Sequence, residues 1–239
     1  MNLKKIVIVG NSVALRNRPH VKEQSKNYGQ LIQKSLNEGK SDEIIQVENI
    51  AFGRATMRDL HIVQDRVINT FGDLYVINIG VSDAATREMP RWFADKLNQR
   101  KQTFGVKVAK GIEATFVRPM RSFLVKLRGK RSWTSKKKFN QLFTELVYRI
   151  QHNTSGKVIV LSMSPPDDRV EKSVPGTAKK YKEYNEVLKD ICKNKEIEYL
   201  NLDELTPEPH YPDGTHYSEV GNAAVAELLL KRIEEKKMI

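Results

Sequence analysis

The sequence predicts a three-layer α/β/α sandwich on a mostly parallel five-stranded sheet, with a basic helical insertion after the third strand. Short apolar runs alternate with longer stretches of helical period, the pattern of βαβ units whose strands are buried on both faces. At 239 residues the chain is long enough for one sizeable core, given roughly 150 residues per domain. No apolar run approaches the roughly 20 residues that cross a bilayer, and a charged fraction of 29% against 39% hydrophobic is a globular balance.

The first strand, 5–9, carries Ile6-Val7-Ile8-Val9 and stops at Gly10-Asn11-Ser12. Lys4 and Lys5 imitate the start of a signal peptide, but no small-residue cleavage site follows, so the run reads as a buried strand of a cytoplasmic chain, peripheral to the membrane at most. Further strands are expected at 44–48, 74–79, 158–161 and 198–202, with helices at 26–37, 57–70, 139–152 and 178–194 between them. A last helix, 218–235, places Val225, Leu228, Leu229 and Ile233 on one face, and Ser218 is its expected N-cap. The single cysteine, Cys192, excludes an internal disulfide and a cysteine-rich metal site.

One segment breaks this rhythm. Residues 87–138 contain 16 Lys and Arg against Glu88, Asp95 and Glu113, whereas the rest of the chain holds 25 basic and 26 acidic residues. All of the net charge of +12 therefore lies in this stretch. Helical pieces are expected at 92–100 and 111–127, with Lys130-Arg131 and Lys136-Lys137-Lys138 in the loop after them. The segment reads as an insertion or lid within a single domain, 1–239. Open α/β sheets bind ligands at the carboxyl ends of their strands, so an insertion leaving strand three flanks the pocket. Its charge attracts anionic partners: an acidic polysaccharide, a glycolipid, an anionic membrane surface or an acyl donor. Phe104, Phe116, Phe123 and Trp133 interleave with the charge, either as its inner face or as groups that stack or insert. Nucleic acid ranks last, because no recognised reading motif accompanies the charge.

Ser12 stands at the mouth of the first strand, and Asp213-Gly214-Thr215-His216 lies in a loop just before the last helix. An aspartate three residues before a histidine can orient the imidazole through Nδ1, leaving Nε2 to take a proton from a serine. A capping serine and a surface histidine are the bland alternatives. No Gly-x-Gly-x-x-Gly, Walker or His-Glu-x-x-His run is present, and the absence of Gly-x-Ser-x-Gly argues against an α/β-hydrolase elbow. Asp167-Asp168 reads as a turn rather than a metal pair. No metal or cofactor is required.

In four ordered blocks the chain resembles the SGNH or GDSL hydrolases, a family of esterases, lipases and carbohydrate acyl hydrolases. Gly10-Asn11-Ser12 is similar to the first block, with Asn11 where an aspartate is usual; 49–56 is similar to the second; Gly80-Val81-Ser82-Asp83 stands where the third has Gly-x-Asn-Asp; and Asp213 to His216 matches the last. The resemblance implies Ser12 as nucleophile, His216 as base and Asp213 as its orienting acid. It also implies an oxyanion hole of the Ser12 and Gly53 N–H groups, with Ser82 at the place of the usual asparagine donor. Arg87 and Arg91 are candidate replacements for that donor, and Arg16 and Arg18 could meet an anionic group near Ser12. Asn11 and Asp83 complete the candidate substrate-side residues, Asp83 also reading as a structural group that bonds loop backbone. Some glycan and capsule biosynthesis proteins look similar after strand three, where this chain has Arg87-Glu88-Met89-Pro90-Arg91. The expected function is a serine-dependent esterase or O-acyltransferase on an anionic glycan or glycolipid. The alternative is a binding module for a polyanion whose triad is vestigial.

Overall fold

The structure, a computed structural model, describes residues 2–15, 26–39, 43–97 and 103–239. Five strands, β1 (Asn2–Gly10), β2 (Glu43–Ala51), β3 (Leu74–Asn78), β4 (Lys157–Leu161) and β5 (Glu198–Leu200), form one sheet in the order β2-β1-β3-β4-β5. Every pairing is parallel, so the sheet is wholly rather than mostly parallel. The register sets Gly10 opposite Ala51 on one side and Asn78 on the other, which brings three strand ends to one rim.

The helices are α1 (Tyr28–Asn37), α2 (Met57–Ile62), α3 (Gln64–Ile68), α4 (Val81–Ala84), α5 (Arg91–Leu97), α6 (Phe104–Ile112), α7 (Arg121–Leu127), α8 (Lys136–Asn153), α9 (Asp168–Ser173), α10 (Thr177–Asn194), the kinked turn α11 (Pro207–His210) and α12 (Glu219–Glu235). The period of two in the strands builds the three layers. Ile6, Ile8, Val76 and Ile159 pack with Tyr28 and Ile32 of α1 and with Val225 and Leu229 of α12. The intervening Val7, Val9, Ile77 and Val160 pack on the other face, with Met57 and Leu60 of α2, Phe139 and Phe143 of α8, and Tyr184 and Leu188 of α10. Ser218 caps α12 by accepting from Gly221 N at 3.1 Å, as the sequence suggests. Asn27 and Gln30 form a reciprocal capping box at the start of α1, with bonds of 3.0 and 3.2 Å.

The helix expected over 57–70 is two helices, because the chain leaves helical geometry at Val63 (φ −105°, ψ 10°). The basic segment is closed at its base by an antiparallel bridge between Thr86 and Ser132, by Arg87 N donating to Arg131 O at 3.0 Å and by Ser132 Oγ donating to Ala84 O at 2.6 Å. Above this stem stand α5, α6, a π-helical turn Glu113–Val117 and α7. The piece expected at 92–100 is α5, with 98–102 outside the described residues, and the piece expected at 111–127 begins earlier, at Phe104. Lys136 to Lys138, expected in a loop, make the first turn of α8. Among the described residues no helix is long and apolar enough to cross a membrane.

Candidate active site

The turn after β1 is built to present Ser12. Asn11 N donates to Asn78 O at 3.2 Å and Phe52 N donates to Gly10 O at 3.3 Å, clamping the turn between the ends of the neighbouring strands. A Cβ on Gly10 would stand 2.7 Å from Asn78 O, so this approach needs glycine. Ser12 then opens a 3₁₀ turn, Ser12–Ala14, capped by Asn11 Oδ1, which accepts from Val13 N at 3.1 Å. That capping bond uses a side-chain oxygen that asparagine and aspartate have in common. Ala14 O accepts from both Asn27 Nδ2 (3.1 Å) and Asn49 Nδ2 (2.8 Å), which ties the turn to the start of α1 and to β2.

The last block meets it across the rim. Ser12 Oγ lies 2.9 Å from His216 Nε2, and His216 Nδ1 lies 2.7 Å from Asp213 Oδ2. The second carboxylate oxygen, Asp213 Oδ1, accepts from Thr215 N at 2.9 Å and His216 N at 2.7 Å. Burial alone would raise the Asp213 carboxyl, but the hydrogen bonds and charge of His216 and the Thr215 N–H outweigh it and hold its pKa at about 2. An ionised carboxylate only accepts, so the imidazole proton sits on Nδ1 and the Nε2 lone pair faces Ser12.

A cavity of about 490 Å³ opens over Ser12 and His216, lined also by Ser82, Arg54, Arg87, Arg121, Arg169 and Tyr181. Ser82 is buried in α4, and its hydroxyl makes no hydrogen bond to a described residue. Gly80, which enters that helix at φ 120°, is in the region that favours glycine. Gly53 is exposed and precedes Arg54 of the cavity lining without lining the cavity itself, and its N–H has no hydrogen-bond acceptor among the described residues. Arg16 and Arg18 lie outside the described residues.

Three candidates are placed elsewhere. Asn11 is fully buried, with its Nδ2 lacking an acceptor among the described residues, and it shapes the turn rather than lining the cavity. Asp83 is fully buried and accepts from Met57 N through both oxygens, at 3.0 and 3.1 Å, which fixes the start of α2 to α4. Arg91 is engaged by Asp95 (2.7 Å), Asp59 (3.2 Å) and Arg54 O (3.3 Å) and does not line the cavity, so it is not placed to donate to a group at Ser12. Arg87 does line it. Asp167, read from sequence as part of a turn, caps α9 by accepting from Val170 N at 2.8 Å and bonds Arg169 Nε at 2.6 Å. Among the described residues no cluster of acidic, His or Cys side chains could hold a metal.

Burial pushes the Asp83 carboxyl up to about 7, against the lowering effects of the nearby Thr134 hydroxyl, the Met57 N–H and Arg91. Its folded pKa thus exceeds its unfolded value, so its contribution to stability falls as pH rises from about 4 to about 7 and is level above that. Asp83→Asn keeps an acceptor for Met57 N and removes the titration. The melting temperature of this variant is expected to gain on the wild type between pH 5 and pH 8; parallel curves would mean that Asp83 does not titrate in that window.

Arg54, which sequence reading missed, follows Gly53 at φ 62° and reaches back over Trp133. Tyr181 and Arg169 arrive from α10 and α9, and no local pattern marked them.

No family model matches the chain, and no curated protein matches its sequence. Solved structures match across nearly the whole of it. A lipase/acylhydrolase from Enterococcus faecalis is 17% identical over 98% of this chain and 96% of that one, with a TM-score of 0.66. Axe2, an acetylxylan esterase from Geobacillus stearothermophilus, is 16% identical over 96% and 94%, with a TM-score of 0.64. TesA is 14% identical over 99% and 100%, at 0.62. Two of the similar structures are described as catalytic mutants of Axe2, one with a serine replaced and one with a histidine replaced. At these identities the likeness establishes the fold.

Proposed function

From the premise that this chain has the SGNH-hydrolase fold, we propose that it is a serine-dependent esterase or O-acyltransferase acting on an O-acyl group of an anionic glycan or glycolipid. The observation that carries this reading is the unbroken relay from Ser12 Oγ to His216 Nε2 and from His216 Nδ1 to Asp213. As Ser12 Oγ attacks the acyl carbonyl carbon, its proton passes to His216 Nε2 and the carbonyl electrons move onto oxygen. The Ser12 and Gly53 N–H groups, with the Ser82 hydroxyl as a third donor, receive that oxyanion. Collapse expels the sugar oxygen, which leaves as an alcohol with the proton from His216, and an acyl ester remains on Ser12. Water or a second hydroxyl then gives its proton to His216 and attacks the acyl carbonyl; collapse breaks the ester bond to Ser12, whose Oγ takes the proton back from His216, and the acyl group leaves as free acid or as new ester.

The cationic lining of the cavity supports an anionic acyl carrier. Acetate release from O-acetylated uronic-acid oligosaccharides should exceed release from O-acetylated xylo-oligosaccharides, and the preference should shrink as salt rises from about 0.05 to about 0.5 M. Equal rates at both salt concentrations would remove the anionic substrate from this reading.

One observation favours the binding-module alternative, or membrane attachment beside the chemistry. Along α6, the π turn and α7, Val108, Ile112, Phe116, Met120, Phe123 and Leu127 recur at intervals of three or four residues and are 46% to 72% exposed. Exposed Lys107, Lys110, Arg118 and Lys126 accompany them. An apolar stripe with cationic flanks suits the interface of an anionic bilayer. The protein is expected to sediment with phosphatidylglycerol vesicles, to do so less after Phe116→Ser with Phe123→Ser, and to be unaffected by Ser12→Ala. Equal binding to phosphatidylcholine vesicles, or none to either, would exclude the anionic surface.

A further inference from the structure

A second cavity, of about 610 Å³, lies inside the insertion and shares Arg54, Arg87, Glu88 and Arg121 with the cavity over Ser12. At this shared wall the Trp133 indole is fixed by its Nε1–H, which donates to Met89 O at 3.1 Å. The Arg87 guanidinium stands 4.2 Å from the ring centroid, and those of Arg54 and Arg91 stand 5.0 Å from it. Three guanidiniums around one ring repel one another unless carboxylates balance them. Arg91 is balanced by Asp59 and Asp95. Glu88 lies 3.2 Å from Arg121 Nε, and Glu113 lies 3.0 Å from Arg118 Nε, so the two carboxylates of the inner cavity already have cations.

Arg54 and Arg87 have no carboxylate within ion-pair distance among the described residues, and Arg87 Nε is buried without an acceptor. Burial, and for Arg54 the neighbouring charge of Arg91, holds both guanidiniums below their usual pKa. A buried charged donor without a partner destabilises a fold, and an oxyanion that accepts from it reverses that penalty. Planar guanidinium forks suit carboxylate and phosphate oxygens, and both Arg54 and Arg87 line both cavities while their guanidinium carbons stand over the indole.

We propose that Arg54 and Arg87, stacked on Trp133, form an oxyanion subsite that takes a carboxylate or phosphate of the substrate while its acyl ester lies at Ser12. That the ester lies at Ser12 rests on the function proposed above; the binding of the anion does not. The subsite sits between the catalytic cavity and the inner cavity, so the chain beyond the anion has room to continue into the insertion.

Trp133 is itself the reporter. The chain has two tryptophans, so Trp92→Phe leaves Trp133 alone, and Ser12→Ala silences the acyl chemistry. Fluorescence of this double variant is titrated with glucuronate, with inorganic phosphate and, as a neutral control, with glucose. The expected result is a saturable change with at least one anion and none with glucose, and the better anion distinguishes a uronic-acid source from a phosphorylated one. Arg54→Gln and Arg87→Gln, each added separately, should weaken that binding roughly tenfold or more, the loss of one charge-assisted contact. Arg87→Lys should recover only part of it, and Lys137→Gln on the surface should leave it intact. Should Arg87→Gln fail to fold, Arg54→Gln carries the comparison. No saturable response to either anion, or an unchanged response after both glutamine substitutions, would overturn the subsite. Anion binding by a wild type without acyl turnover would instead sink the proposed function and leave the subsite standing.

Discussion

Ser12→Ala is expected to lower kcat for p-nitrophenyl acetate by roughly 10⁴-fold or more, with little change in KM and none in melting temperature. The side chain is small, lines the cavity and hydrogen-bonds the His216 imidazole, so on the proposed function its removal deletes the nucleophile without removing an apolar group from the core. His216→Ala should match it in size, because an alcohol with no base to take its proton is a poor nucleophile. The double variant should be no slower than either single one, since the two groups act as a unit. Rates for Ser12→Ala within a few-fold of wild type would assign any turnover to another group.

Asp213→Asn is expected to lower kcat by roughly 10⁴-fold. An amide can turn its NH₂ toward Nδ1, and the imidazole then carries its proton on Nε2, where it can no longer accept from Ser12. With a folded pKa of about 2, Asp213 is ionised throughout the neutral and mildly acidic range, so loss of rate on acidification in that range is not its protonation. Its depressed pKa also contributes to stability. That contribution is present above the unfolded carboxylate value and is lost as pH falls through about 2. The wild type should therefore lose more melting temperature than the asparagine variant between about pH 5 and pH 2. A variant with full activity, or with the same acid dependence, would show that the carboxylate neither orients the imidazole nor gains from it.

The sheet was legible because Ile6 to Val9 and its counterparts are buried on both faces, which leaves an uninterrupted apolar run in the sequence. Helices as short as α4 and α9, of four and six residues, are too brief to display a period. Residues 57–70 hold a continuous helical pattern, and only the backbone at Val63 reveals the break. Within the site, Ser12, Asp213 and His216 could be picked out because each stands beside a strand end or a loop signal. Arg54, Trp133 and Tyr181 could not, because they come together only through the packing of α10, the second block and the end of the insertion. Arg91 misled for the same reason: as an arginine of the basic segment after strand three it was a candidate donor, but Asp95 one helical turn along α5 holds it. The insertion's charge was visible, but its division was not. Phe116 and Phe123 face outward, whereas Trp133 turns in to meet the arginines.

The most direct measurement is the intact mass and peptide map of the protein after exposure to a fluorophosphonate probe, for wild type, Ser12→Ala and His216→Ala. One adduct on Ser12 is expected in the wild type, none at that position in Ser12→Ala, and much slower labelling in His216→Ala. A folded wild type that takes up no probe at Ser12, or takes it up as fast without the imidazole, would contradict an activated hydroxyl at this rim.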